Sequence, residues 1–104
     1  MGADKDILKQ IKQQVLLVLP TATIKLFGSR AYGTPTEESD WDLLVLTKQP
    51  VEKGLKNKVH DSIFPVSVAI GSFINFVLVQ EDDWQKKPRY YVLRTSFANQ
   101  AIEI

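Results

Sequence analysis

Two short hydrophobic segments, residues 23–27 and 41–46, flank a stretch rich in Gly, Ser, Thr and Pro. β-branched, aromatic and leucine side chains dominate both segments, which predicts two β-strands buried in one core. The first predicted strand stops at Gly28, and residues 29–39 are predicted to form a loop or a short helical turn. Asp40 and Asp42 lie at the start of the second strand. Any fold of this chain therefore places a polar segment beside two acidic residues at the ends of core strands.

The remaining segments predict helices and further strands around this pair. Apolar residues recur at helical spacing between positions 7 and 19, which predicts an amphipathic helix that Pro20 ends. A second helix is predicted to open at Pro50, and residues 65–70 and 73–79 are predicted to form a hairpin around Gly71-Ser72. Residues 82–99 look helical with an interruption near Pro88, and residues 101–104 suit a terminal strand.

Length, composition and the order of the predicted elements limit the possible folds and exclude several kinds of site. The 104 residues suit one domain spanning 1–104, with 44% hydrophobic and 24% charged residues. We expect an α/β (α+β) fold, with a small mixed sheet, helices mainly on one face and a site at the exposed edge. The absence of cysteine and the single histidine exclude thiolate zinc sites and histidine-rich metal sites.

Charge and hydropathy bear on location and partners. The formal net charge is +1, so nucleic-acid binding driven by a global positive field is not expected. No apolar run is long enough to span a bilayer, and the acidic N-terminal residues do not match a secretory signal. We therefore expect a cytoplasmic protein without membrane contact.

Gly28, Ser29, Asp40 and Asp42 together suit phosphate and metal binding. A strand that ends in Gly-Ser lets backbone N–H groups approach a phosphate closely, and the serine hydroxyl adds a donor. Asp40 and Asp42 are two residues apart, so both side chains point to one face of the strand while Trp41 points into the core. The two carboxylates repel each other unless a hard divalent cation such as Mg²⁺ lies between them.

In this order and spacing, the residues resemble the signature of the DNA polymerase β-like nucleotidyltransferase superfamily. The match runs from Gly28 to Leu46 and includes Gly33 and Ser39, and the order of elements is similar to that of minimal nucleotidyltransferases. The resemblance implies that Gly28 and Ser29 bind the terminal phosphates and that Asp40 and Asp42 hold Mg²⁺ or Mn²⁺. Arg30 is a further candidate phosphate ligand, although a surface arginine is an equally good interpretation.

The chain departs from the family pattern mildly at Tyr32, where a basic residue is common, and more strongly at the third carboxylate. Members usually carry a third carboxylate on a neighbouring strand, yet this sequence has no Asp or Glu between Asp61 and Glu81. The candidate third-ligand positions are Ser67, Ala69 and Asn75, and none of these can serve as a carboxylate base. The acidic run 81–83 most simply begins the next helix, and it could supply the ligand only if that turn folds over the site.

Two functions remain open at this point. The first is a magnesium-dependent enzyme that transfers a nucleoside monophosphate, with AMP the favoured group, from a nucleoside triphosphate to an acceptor hydroxyl. The second is a catalytically degenerate module that binds nucleotide and acts through a partner protein, as an antitoxin does. The resemblance implies a small helical HEPN-type protein of a toxin–antitoxin module as that partner, and self-association is the alternative.

Overall fold

The computed structural model describes residues 2–28, 40–97 and 101–104. Their order along the chain is helix, two strands, helix, strand, three short helical segments and a final strand. The elements are α1 (Gly2–Val18), β1 (Thr23–Phe27), β2 (Trp41–Thr47), α2 (Leu55–Ile70), β3 (Ile74–Gln80), α3 (Glu81–Lys86), a 3₁₀-helix (Pro88–Tyr90), α4 (Tyr91–Phe97) and β4 (Ile102–Glu103).

The four strands form one mixed sheet in the order β3-β2-β1-β4. β1 is antiparallel to β2 and to β4, whereas β2 and β3 are parallel. The end of β1 and the starts of β2 and β3 therefore meet at one edge of the sheet. The expected α/β (α+β) class with a small mixed sheet is confirmed, and the predicted first helix and first two strands agree with the structure to within a few residues.

The main core lies between one face of the sheet and helices α1 and α2. Because side chains alternate along a strand, every second residue of β1 and β2 enters this core. Trp41 is 1% exposed and belongs to it, as predicted. Its buried members are Ile11, Val15, Leu19, Ile24, Leu26, Trp41, Leu43, Val45, Val59, Ile63 and Val66.

The opposite face of the sheet is covered only in part, by α3 and the segment that follows it. A second, smaller core forms there from Leu44, Leu46, Val79 and Trp84, with Phe27 and Tyr90 packed against it. Asp42 and Asn75 also belong to this face, because they lie two residues before Leu44 and Val77 on their strands. The two long helices thus lie on one face, and none of the described helices covers the other face where β2 and β3 begin.

The predicted hairpin at residues 65–79 is wrong in its first half. Residues 65–70 continue helix α2 through Pro65, and Gly71, in a left-handed conformation, ends that helix. Val59, Ile63 and Val66 repeat at helical spacing and are buried, whereas Val68 is 64% exposed. Burial of this stripe against α1 outweighs the backbone hydrogen bond that Pro65 cannot donate. The second half, residues 73–79, forms β3 as predicted.

The C-terminal predictions are largely confirmed. Helical structure spans α3 and α4, with the 3₁₀-helix beginning at Pro88, and a two-residue strand follows at Ile102–Glu103. Glu81, Asp82 and Asp83 form the first turn of α3, where carboxylates favour the helix N-terminus. Within the described ranges, no helix has the length and hydrophobicity needed to cross a membrane.

Candidate functional site

Asp40, Asp42 and Asn75 meet at the edge where β2 and β3 begin. Asn75 lies directly opposite Asp42 in the parallel ladder. The Asn75 amide nitrogen donates to Asp40 Oδ2 at 3.3 Å and to Asp42 Oδ1 at 3.4 Å. These distances are long for hydrogen bonds, so the contacts are weak, but they place both carboxylates around one amide group. Asp40 and Asn75 are exposed, and Asp42 is half-buried.

Gly28 is in direct contact with this group. Its φ of +80° lies in the left-handed region that favours glycine, and it follows Phe27, the residue paired with Asp42. A Cβ at position 28 would lie 2.6 Å from Asp42 Oδ2. A side chain at position 28 would therefore be strained by the backbone conformation and would have to displace the carboxylate beside it. The turn that opens the predicted phosphate-binding segment and the second aspartate are thus part of one arrangement.

The structure separates two further candidates, Ser67 and Ala69, from this group. Ser67 and Ala69 lie on α2, which packs against the opposite face of the sheet, and the Ser67 hydroxyl donates to the Ser72 carbonyl at 2.6 Å. Their prediction as strand-borne third ligands is wrong, because Pro65 does not end the helix. Of the three candidate third-ligand positions, Asn75 alone contacts the aspartates. Ser29 and Arg30 lie outside the described residues.

The acidic run 81–83 cannot supply the third ligand either. Asn75 is the second residue of β3, and Glu81 follows its last residue, Gln80. A strand rises about 3.3 Å per residue, so the two ends of β3 lie roughly 20 Å apart. These acids therefore belong to the opposite end of the sheet. There Asp83 Oδ2 pairs with Lys87 Nζ at 3.4 Å.

The donor set fits a divalent cation that brings further ligands with it. Asp40 and Asp42 offer carboxylate oxygens, which are the ligands that Mg²⁺ prefers. Within residues 2–28, 40–97 and 101–104, no group of three or more Asp, Glu, His or Cys side chains could hold a metal ion. A cation at the pair would therefore retain open positions for phosphate oxygens or water, as Mg²⁺ usually does.

A cavity of about 300 Å³ opens on the same face of the sheet. No local sequence pattern predicts this cavity, because its walls come from three strands and the C-terminal helices, which are distant along the chain. The described residues that line it are Lys25, Phe27, Leu44, Val77, Trp84, Gln85, Leu93, Arg94 and Ala101. Leu44 lies two residues after Asp42 and Val77 two residues after Asn75, which is about 7 Å further along each strand.

Comparison with known proteins places the chain in a family. The model of the nucleotidyltransferase domain matches residues 5–93, which include all three residues that meet at the sheet edge. The crystal structure of a candidate nucleotidyltransferase from Sulfolobus solfataricus is similar, with a TM-score of 0.53 and 22% identity over 94% of this chain and 76% of that one. That likeness supports the fold alone. No curated protein matches the chain. The match over most of its length shows that the chain belongs to the nucleotidyltransferase domain family.

Proposed function

We propose that the chain binds a nucleoside triphosphate together with Mg²⁺ or Mn²⁺ at Asp40 and Asp42. The observation that carries this proposal is the convergence of the two aspartates with Asn75 and Gly28 at one sheet edge. Membership of the family supports nucleotidyl transfer as the general reaction. The finer proposal is transfer of a nucleoside monophosphate, AMP in the first instance, to an acceptor hydroxyl.

Each residue of the site has a distinct proposed role. Asp40 and Asp42 hold the cation that travels with the triphosphate, and Gly28, Ser29 and Arg30 bind its phosphates. The bound cation supplies charge neutralisation at the phosphoryl oxygens. The protein otherwise contributes orientation, since phosphoryl transfer relies on positioning and electrostatics and needs no covalent intermediate with the protein.

Asn75 limits what this site does with the nucleotide. It occupies the position opposite Asp42 on the neighbouring strand, where a carboxylate would complete a set of three. An amide does not accept a proton from the attacking hydroxyl at neutral pH, and it adds no negative charge for a second cation. We therefore expect nucleotide binding with slow transfer in the isolated chain.

Asn75 also favours the second candidate function, a nucleotide-binding module that acts through a partner. Under this proposal the chain retains the nucleotide and the cation, and a partner protein responds to the bound state. A HEPN-type helical protein or a second copy of this chain is the proposed partner. The two candidates differ in one measurable property, which is turnover of the bound nucleotide.

Pyrophosphate release from ATP with Mg²⁺ separates the candidates, because it counts transfer to any hydroxyl, including water. The variant Asn75→Asp should release pyrophosphate at least about 10²-fold faster than the parent, the scale of a restored general base. Ala69→Glu is the matched control, because it adds a carboxylate on the opposite side of the sheet, and it should change nothing. If the parent already releases pyrophosphate at about 1 s⁻¹ or faster, Asn75 does not limit turnover, and the proposal of a nucleotide-binding module is contradicted. If the parent and Asn75→Asp both bind ATP and neither releases pyrophosphate, the result favours the nucleotide-binding module.

A further inference from the structure

The cavity beside the aspartates has the composition of a site for a flat aromatic group. Its apolar walls come from Phe27, Leu44, Val77, Trp84 and Leu93, two of which are aromatic. Ligand sites of this kind are concave and mainly apolar, with a few polar groups that fix orientation. At about 300 Å³ the cavity lies at the lower end of the usual range, so it suits a single ring system.

The polar side chains of the cavity indicate the chemistry of that group. Lys25 and Arg94 both line the cavity and are half-buried, and both only donate hydrogen bonds. The Arg94 guanidinium also donates to the Trp84 carbonyl, which holds it against the wall. None of the described lining residues is Asp or Glu. The cavity therefore favours a ring that carries hydrogen-bond acceptors and belongs to an anionic molecule.

Position relates the cavity to the aspartates. Phe27 is bonded to Gly28, and Leu44 and Val77 follow Asp42 and Asn75 on the same face, about 7 Å along their strands. A phosphate group held at Gly28 and Asp42 would leave the rest of its molecule next to this cavity. The ring nitrogens and carbonyls of a nucleobase are the acceptors that Lys25 and Arg94 can satisfy.

We infer that this cavity binds the nucleobase of the nucleotide whose phosphates lie at Asp40 and Asp42, an inference that rests on the proposed function. Trp84 and Phe27 supply stacking surface, and Lys25 and Arg94 contact the acceptor atoms of the base or its α-phosphate. The C-terminal segment, through Trp84, Leu93 and Arg94, thus becomes part of the nucleotide site.

The test compares Leu93→Glu with Val92→Glu, using ATP and inorganic tripolyphosphate, each with Mg²⁺, in calorimetry. Leu93 lines the cavity and is 38% exposed, whereas its neighbour Val92 is 68% exposed and is not among the lining residues. The parent should bind ATP at least about tenfold more tightly than tripolyphosphate, the scale of one base stacked on an aromatic side chain. Leu93→Glu should remove that advantage and leave tripolyphosphate binding within about threefold. Val92→Glu should alter neither.

Three outcomes overturn the inference. The first is an equal affinity of the parent for ATP and tripolyphosphate. The second is an unchanged ATP affinity in Leu93→Glu. The third is an equal loss of affinity for both probes in Leu93→Glu. Failure of the proposed function is recognised separately, because the parent would then not bind tripolyphosphate. In that event, quenching of tryptophan fluorescence by adenosine decides the question, measured with Trp41→Phe as the parent so that Trp84 is the one remaining tryptophan. Quenching in the parent that Leu93→Glu abolishes would sustain a nucleoside cavity, and its absence would refute the inference.

Discussion

Asn75 lies directly opposite Asp42 in the parallel ladder of β2 and β3, and its amide donates to both Asp42 and Asp40. A weakly donating amide thus lies beside two neighbouring carboxylates, at the position where a third carboxylate would add to their repulsion. This relationship links stability to metal binding, since an amide and a cation satisfy the same oxygens.

The variant Asn75→Asp should exchange stability for metal affinity. Without metal it brings three carboxylates together, so its melting temperature should fall below those of the parent and of Asn75→Ala. Mn²⁺ should then raise the melting temperature of Asn75→Asp the most, because a third anionic ligand strengthens binding to the folded state. Thermal melts in chelator and in Mn²⁺ measure both effects. Equal shifts in all three proteins would contradict the assignment of Asn75 to the metal position.

Gly28 should be intolerant of alanine for two separable reasons. Its left-handed φ should cost an alanine about 1–2 kcal/mol of stability, and the added Cβ would displace the Asp42 carboxylate. Gly71 is the matched control, with a φ of +68° and nothing within 4 Å of an added Cβ. Urea unfolding should show similar losses for Gly28→Ala and Gly71→Ala. Only Gly28→Ala should weaken ATP binding with Mg²⁺. If Gly71→Ala weakened ATP binding equally, the loss of binding would come from lower stability and not from the contact with Asp42.

Replacement of Pro65 by alanine should stabilise the protein. Pro65 is exposed and lies inside α2, where proline removes a hydrogen bond and clashes with the preceding turn. Alanine is about 3 kcal/mol more favourable than proline in a helix interior, so a gain of about 1–3 kcal/mol is expected. Val68→Ala, at an exposed position of the same helix, should change stability by less than about 0.5 kcal/mol. Urea unfolding measures both, and a loss of stability in Pro65→Ala would contradict a continuous helix.

The sequence was sufficient for those parts of the fold in which one local pattern dominates. The helical spacing of α1 and the apolar runs of β1 and β2 each predict one structure, and the structure confirms them. Residues 65–70 were misread because Val66, Val68 and Ile70 alternate as in a strand while Pro65 suggests a helix end. Burial of Val59, Ile63 and Val66 against α1 decides the outcome, and that contact is tertiary.

The candidate site likewise has residues that local patterns predict and residues that only tertiary contacts bring in. The sequence predicts Gly28, Asp40 and Asp42 as site residues, because a loop signal and two strand-borne carboxylates lie close together along the chain, and the structure brings these three residues together. The sequence predicts Asn75, Ser67 and Ala69 alike as positions for a third metal ligand, because a choice among them requires the β2–β3 register. The cavity at Trp84 and Leu93 could not be predicted, because only the packing of the C-terminal segment on the sheet creates it.

The central claim is that Asp40 and Asp42 form one divalent-cation site for a nucleoside triphosphate. Calorimetry of ATP with Mg²⁺ on the parent, Asp40→Asn, Asp42→Asn and the control Asp82→Asn tests it most directly. Asp82 is an exposed acid at the far end of the sheet, so its variant matches the change in charge without touching the site. We expect binding by the parent and by Asp82→Asn, and none by either site variant or by the parent in chelator. Unchanged ATP binding in Asp40→Asn and Asp42→Asn would contradict it.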